Sequence, residues 1–144
     1  MCIRDSPNIV ATKEASGNLS FITEVIAECG DDLYVYSGND DQTVPLMSIG
    51  AVGLISVLSN VMPARVSNMT RLFLEGDLKA SAAEQLALLK IMNAMFMTVN
   101  PIPVKTAMAM LGMCDIEMRL PLAEMSEAEN EKLASVLREY GLLG

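Results

Sequence analysis

Lys13 closes a short apolar run and is followed by Glu14, Ala15, Ser16, Gly17 and Asn18, so a lysine stands where a strand should be ending. An amine in that position attacks a carbonyl and forms an imine, provided that it is unprotonated. A free lysine, with a pKa of about 10.4, is almost wholly charged at neutral pH. Desolvation in a pocket is what disfavours the charged form. Once protonated, the imine draws electrons from the neighbouring carbon, which loses a proton and becomes a nucleophilic enamine. The alternative reading is a solvated strand end with no chemistry. Strand periodicity places Lys13 on one face with Ala11 and Ile9, and Glu14 on the other. On that placement Glu14 does not hold the amine charged, and the small Ala11 leaves room beneath it.

The remaining reactive residues narrow the choice. Histidine is absent, which removes a Ser-His-Asp triad, an imidazole metal site and the usual general base. Lys105 is the competing lysine. It follows Pro-Ile-Pro-Val at a helix start and reads as a loop anchor or a surface residue. Asp40 and Asp41 are a conceivable acid/base couple, but their position reads as capping of the next helix. Gly50 and Gly53 lack the Lys-Ser/Thr of a phosphate loop, and no metal site is read. Cys2, Cys29 and Cys114 show no CxxC spacing and read as free, mostly buried thiols of a reducing compartment.

Composition excludes further classes. The formal net charge is −8 with 4% aromatic residues, and no Lys/Arg cluster stands out, so nucleic acid is not an expected partner. Hydrophobic residues make up 51% of the chain, enough for a packed core. The longest apolar run is too short to cross a bilayer, and no signal-peptide pattern opens the chain. The leading MCIRDS, residues 1–6, fits neither the following strand nor a targeting signal. It reads as a non-native leader, a translated cloning or sequence-assembly remnant.

The elements that must position Lys13 follow from periodicity. Residues 8–12 read as a buried strand. Leu19, Ile22, Val25, Ile26 and Cys29 recur at helical spacing, with Ser16 or Asn18 as N-cap and Gly30 as the stop. Residues 33–37 (LYVYS) suit a second strand. A short helix runs to about Ile49, and Pro45 is compatible with it only if it begins near Thr43. Residues 51–60 are predicted as a third strand, and Pro63 opens the helix carrying Val66, Met69, Leu72 and Phe73. Three strand–helix units with strands apolar on both faces mean parallel strands covered by helices. Residues 7–75 therefore form three βα units of an α/β fold, and 76–144 form a C-terminal helical region.

In that second part Asp77 caps a long helix to about Phe96. Residues 100–105 (NPIPVK) are a Pro-restricted loop before a helix ending at Gly112, and 119–122 (RLPL) are extended. Ser126-Glu127-Ala128-Glu129 is a capping box for a last helix to about Tyr140. The methionines between Met92 and Met97, with Met108, Met110 and Met113, read as adaptable core or subunit-contact packing. Three parallel strands leave two raw edges. Either they form a small open sheet, or they are the C-terminal portion of a TIM (β/α)8 barrel, which needs about 250 residues.

KEASGN at 13–18, SGNDD at 37–41, GLISVLSNVMP at 53–63, NPIPVK at 100–105 and RLPL at 119–122 resemble, in order and spacing, the motifs of the dihydrodipicolinate synthase family. The resemblance covers residues 7–143. It implies a pyruvate-dependent class I (Schiff-base) lyase on a TIM (β/α)8 barrel with extra C-terminal helices, cytoplasmic and homo-oligomeric, using no cofactor. Strands six to eight of the barrel are the ones present. By the same resemblance Lys13 forms the imine with pyruvate, Ile55 contributes backbone contacts to it, and Gly38 sits near the substrate at a strand end. KEASGN with NPIPVK is more similar to the synthase of lysine and diaminopimelate biosynthesis, which condenses pyruvate with aspartate semialdehyde, than to N-acetylneuraminate lyase or keto-deoxy-sugar-acid aldolases. A sugar-acid aldolase and an inactive, interaction-prone partial barrel are the alternatives. Thr12 departs from the family's aliphatic residue, with an effect expected on packing alone. The paired threonines, relay tyrosines and arginine of the family come from earlier strands and are not in this chain, so the chain by itself is expected to be inactive.

Overall fold

The computed structural model describes residues 6–144. All but Ser6 of the expected leader lies outside the described residues. Three short parallel strands, β1 (Ala11–Glu14), β2 (Tyr34–Ser37) and β3 (Gly53–Leu54), form one sheet in the order β1-β2-β3. The first two are in register Lys13 to Tyr36, and Tyr36 continues to Gly53.

Helix α1 (Leu19–Cys29) connects β1 to β2. Asn18 is its N-cap, its side-chain oxygen accepting the Phe21 N–H at 3.1 Å, and Gly30 ends it at φ 52°. Helix α2 (Thr43–Ser48) begins at Thr43, which puts Pro45 in the first turn, where its missing N–H costs nothing. Ile22, Val25 and Cys29 of α1, Leu33 and Val35 about β2, and Leu46 of α2 make one core against a single face of the sheet. Fully burying a side chain such as Ile22 or Leu46 contributes about 1.5–3 kcal/mol.

The opposite face is open. Its residues are Lys13, Tyr34, Tyr36 and Ile55, and Tyr34 is 56% exposed. The helices cover the sheet only on its Val35–Ser37 side, as in the partial barrel of the two arrangements expected from sequence. The apolar residues of the other side are the inward-facing set of a barrel wall.

The third strand is also shorter than its apolar run. It stops at Leu54, and residues Leu58–Asn60 form a 3₁₀ turn. The first strand, in turn, is shifted to include Lys13 and Glu14. Helix α3 (Pro63–Leu74) starts with Pro63 at its first position, and α4 (Leu78–Ala94) is capped by Asp77, which accepts the Ala80 N–H at 3.0 Å. Helix α5 (Ile102–Met110) begins inside the NPIPVK segment, with Pro103 in its first turn. Helix α6 (Glu127–Glu139) carries the capping box, with Ser126 and Glu129 bonded reciprocally.

Met69, Leu88, Ile91, Met95, Leu133 and Leu137 belong to a second core joining α3 to α4, α5 and α6 across Gly76. Met92 and Met95 are core residues, whereas Met113 is exposed. Of the thiols, Cys29 is buried and Cys114 exposed, which corrects the expectation of mostly buried cysteines for the latter. Among the described residues no helix is long and apolar enough to cross a membrane.

Candidate functional site

Lys13 is the third of four residues in β1, not a frayed strand end. Its Cα pairs with Tyr36, so the two side chains share the open face. Across β2, the Tyr36 ring lies over Gly53, where an added Cβ would be 3.3 Å from it. Lys13, Tyr36 and Gly53 therefore make one transverse row. Glu14 is on the other face, and its carboxylate accepts the Ser16 N–H at 2.7 Å. As the alternation requires, it is not paired with the amine. Among the described residues Lys13 makes no ion pair.

Gly38 explains how the lysine chain finds space. A Cβ at position 38 would lie 2.9 Å from Lys13 Cε and 2.6 Å from Ala15 Cβ, both closer than side chains tolerate. Its N–H is committed to the Glu14 carbonyl at 2.7 Å. Gly38 thus supplies clearance and not a donor. Ile55 is 46% exposed, and its N–H is committed to the Ser37 carbonyl at 2.9 Å. Among the described residues nothing donates to the Ile55 carbonyl. The two hydrogen bonds also continue the parallel ladder past the strands, and so hold Lys13, Gly38 and Ile55 at one end of the sheet.

Asp40 behaves unlike the helix cap read from sequence. It is 1% exposed, and its carboxylate accepts from the Ser56 hydroxyl, from the Val57 N–H at 2.9 Å and from the Leu58 N–H at 3.4 Å. These donors pull the chain out of the extended conformation after Ile55, which is why β3 is short. The Asp40 carbonyl accepts from Thr43 Oγ1 at 2.8 Å and from Gln85 Nε2 of α4 at 2.9 Å. Asp41 does not join this network; it lines a cavity of about 290 Å³ with Gly17, Asn39, Gln42, Asn93 and Phe96, beside the loops that follow β1 and β2. No acid/base couple exists between the two aspartates. Lys105 donates to the Glu117 carbonyl, the anchoring role expected of it.

A lysine in the strand, at the carboxyl ends of parallel strands tied loop to loop, is the arrangement of a barrel mouth. A family model described as the dihydrodipicolinate synthetase family matches residues 3–140. The chain belongs to that family. The 4-hydroxy-tetrahydrodipicolinate synthase of Geobacter sulfurreducens is 50% identical over 136 residues, or 94% of this chain and 47% of that protein. The crystal structure of dihydrodipicolinate synthase from Aquifex aeolicus matches with a TM-score of 0.90 at 46% identity, over 94% of this chain and 46% of its own. The chloride-inhibited dihydrodipicolinate synthase of Acinetobacter baumannii, solved with pyruvate, matches with a TM-score of 0.92 at 32% identity, over 97% of this chain and 48% of its own. The chain spans about half the length of the relatives it matches. Its parallel βα units are those of the dihydrodipicolinate synthase TIM barrel, which accounts for the open face.

Tyr36, Ser56 and Gln85 were not singled out from the sequence, and Asp40 was weighed there only as half of an acid/base couple or as a helix cap. The alternation of residues 33–37, with the register of two parallel strands, is a signal that could have found Tyr36 beside Lys13. No local pattern links Asp40 to Ser56 or Gln85, because those contacts are made across loops.

Proposed function

We propose that Lys13 is the Schiff-base lysine of a 4-hydroxy-tetrahydrodipicolinate synthase, acting on pyruvate and then on aspartate semialdehyde in lysine and diaminopimelate biosynthesis. The observation that carries this reading is the placement of the Lys13 side chain over Gly38, on the inward face of β1. The neutral amine adds to the keto carbon of pyruvate, forming a C–N bond and a carbinolamine that loses water to give the imine. Loss of a methyl proton then yields the enamine, whose carbon attacks the aldehyde. Gly38 provides the clearance for the lysine chain. The Ile55 carbonyl is an acceptor for a hydrogen of the bound adduct. The second substrate's contacts and the proton relay come from barrel strands outside this chain, so the chain alone turns over negligibly.

The names of the relatives favour the synthase over a sugar-acid aldolase. A cytoplasmic, homo-oligomeric enzyme is part of the same reading.

The test uses two proteins: the chain itself, and a chimera in which the part of the Geobacter sulfurreducens relative that it does not match is fused ahead of residue 7. Each is treated with pyruvate and borohydride, digested, and mapped by mass spectrometry. The chimera is expected to carry the reduced pyruvyl group on Lys13 and to lose it in Lys13→Ala. An adduct on Lys105, or none in the chimera, overturns the reading.

A further inference from the structure

The geometry points to Asp40 as the positioning residue of this site, a buried clamp that sets the backbone at Ile55 for the keto acid. The inference rests on the proposed pyruvate chemistry and adds a residue to it. Asp40 lies outside the row of side chains that faces the open side of the sheet. What it touches is the turn immediately after Ile55. One carboxylate oxygen accepts the Ser56 hydroxyl, and the other accepts the N–H groups of Val57 and Leu58. Ser56 in turn accepts the Ser59 N–H at 2.8 Å, closing the turn on itself.

A buried carboxylate survives only when its oxygens are satisfied, and donors grouped on one turn provide that only if the turn keeps one shape. That shape begins at Ile55, whose N–H is held by the Ser37 carbonyl and whose own carbonyl receives no donor among the described residues. The clamp has an outer anchor as well. Gln85 donates to the Asp40 carbonyl at 2.9 Å and accepts the Val44 N–H at 3.0 Å, and it is 6% exposed. Through Gln85 the position of α4 is tied to the turn beside the keto-acid site. The helical region therefore contributes to the site without lining it.

The inference separates pyruvate binding from aldehyde binding, and the kinetics of the chimera test it after trapping at Lys13 has been established. Asp40→Ala is expected to raise the KM for pyruvate at least tenfold and to change the KM for aspartate semialdehyde less than twofold. Asp40→Asn keeps an oxygen for the two backbone N–H groups and turns its amide toward Ser56, so it is expected to stay within about threefold of the parent. Ser56→Ala is expected to raise the pyruvate KM about threefold and to add nothing in combination with Asp40→Ala. A pyruvate KM within twofold of the parent in Asp40→Ala overturns the inference while leaving the Lys13 reading intact. So does an equal rise in both KM values, which marks a general loss of structure. If Asp40→Ala is insoluble, Ser56→Ala decides by the same criteria. Absence of any Lys13 adduct in the parent chimera sinks the proposed function instead, by a separate measurement.

Discussion

At the scale of single residues, the site depends on what is missing from position 38. Any side chain there meets Ala15 Cβ and Lys13 Cε at distances that force one of them to move. The sheet carbonyl of Glu14 also pins the Gly38 backbone, so the glycine cannot retreat. Gly38→Ala is expected to destabilise the fold by about 1–3 kcal/mol, the cost of overpacking a fixed site. It should also cut borohydride-trapped adduct at Lys13 severely. Urea denaturation measures the first effect and peptide mass spectrometry the second. An alanine variant with wild-type adduct yield would show that Lys13 reaches its carbonyl by another path. Lys13 was legible as a chemical candidate because its type and strand position are local facts. The clearance over Gly38 was not, since it is a meeting of two strands.

At the scale of elements, helix starts were the most legible feature, because a cap is written within four residues. Asn18, Asp77 and Ser126 each accept a hydrogen bond from the first turn of their helix. At α6 the Ser126 hydroxyl and its backbone N–H both donate to Glu129, holding that carboxyl below the usual carboxylate range. A carboxyl with a lowered folded pKa contributes stability above its unfolded value, about 4.3, and that contribution is lost as pH falls through the folded value. Ser126→Ala is expected to cost about 1 kcal/mol at neutral pH. Glu129→Gln should flatten the decline in stability below about pH 4, read from denaturation midpoints across a pH series. Strand ends were less legible. The apolar run 51–60 says only that those residues are buried, and a buried strand and a buried turn look alike to periodicity. Asp40 decided between them by capturing the N–H groups of Val57 and Leu58.

At the scale of the whole molecule, the dominant fact is a sheet covered on one face. Tyr34 and Ile55 are exposed on the other, and β1 and β3 are its edges. Unpaired parallel edges beside exposed apolar residues invite association. The chain alone is expected to sediment as concentration-dependent oligomers and to bind a hydrophobic dye, and both signals should fall in the chimera that closes the barrel. Analytical ultracentrifugation of the two proteins checks this. A chain that stays monomeric and dye-free at high concentration would mean that its open face is stable in water. The helical region has its own core, with Leu88, Leu133 and Leu137 fully buried and Lys90 paired with Glu139 at 2.5 Å between α4 and α6, although Leu86 on α4 is 70% exposed.

The sequence by itself determined the strand–helix order, the caps, the parallel strands and a lysine near the end of the first of them, because each is written in residues near one another along the chain. Its motifs also carried the family, since they hold a fixed order and spacing. Only the tertiary structure decided which face of the sheet is covered, why the third strand stops at Leu54, and that Asp40 is a clamp and not a cap. Those outcomes are set by hydrogen bonds and contacts between segments 16 to 45 residues apart. Such a pairing leaves no periodic mark, because the donors and acceptors are chosen by where the folded elements bring them.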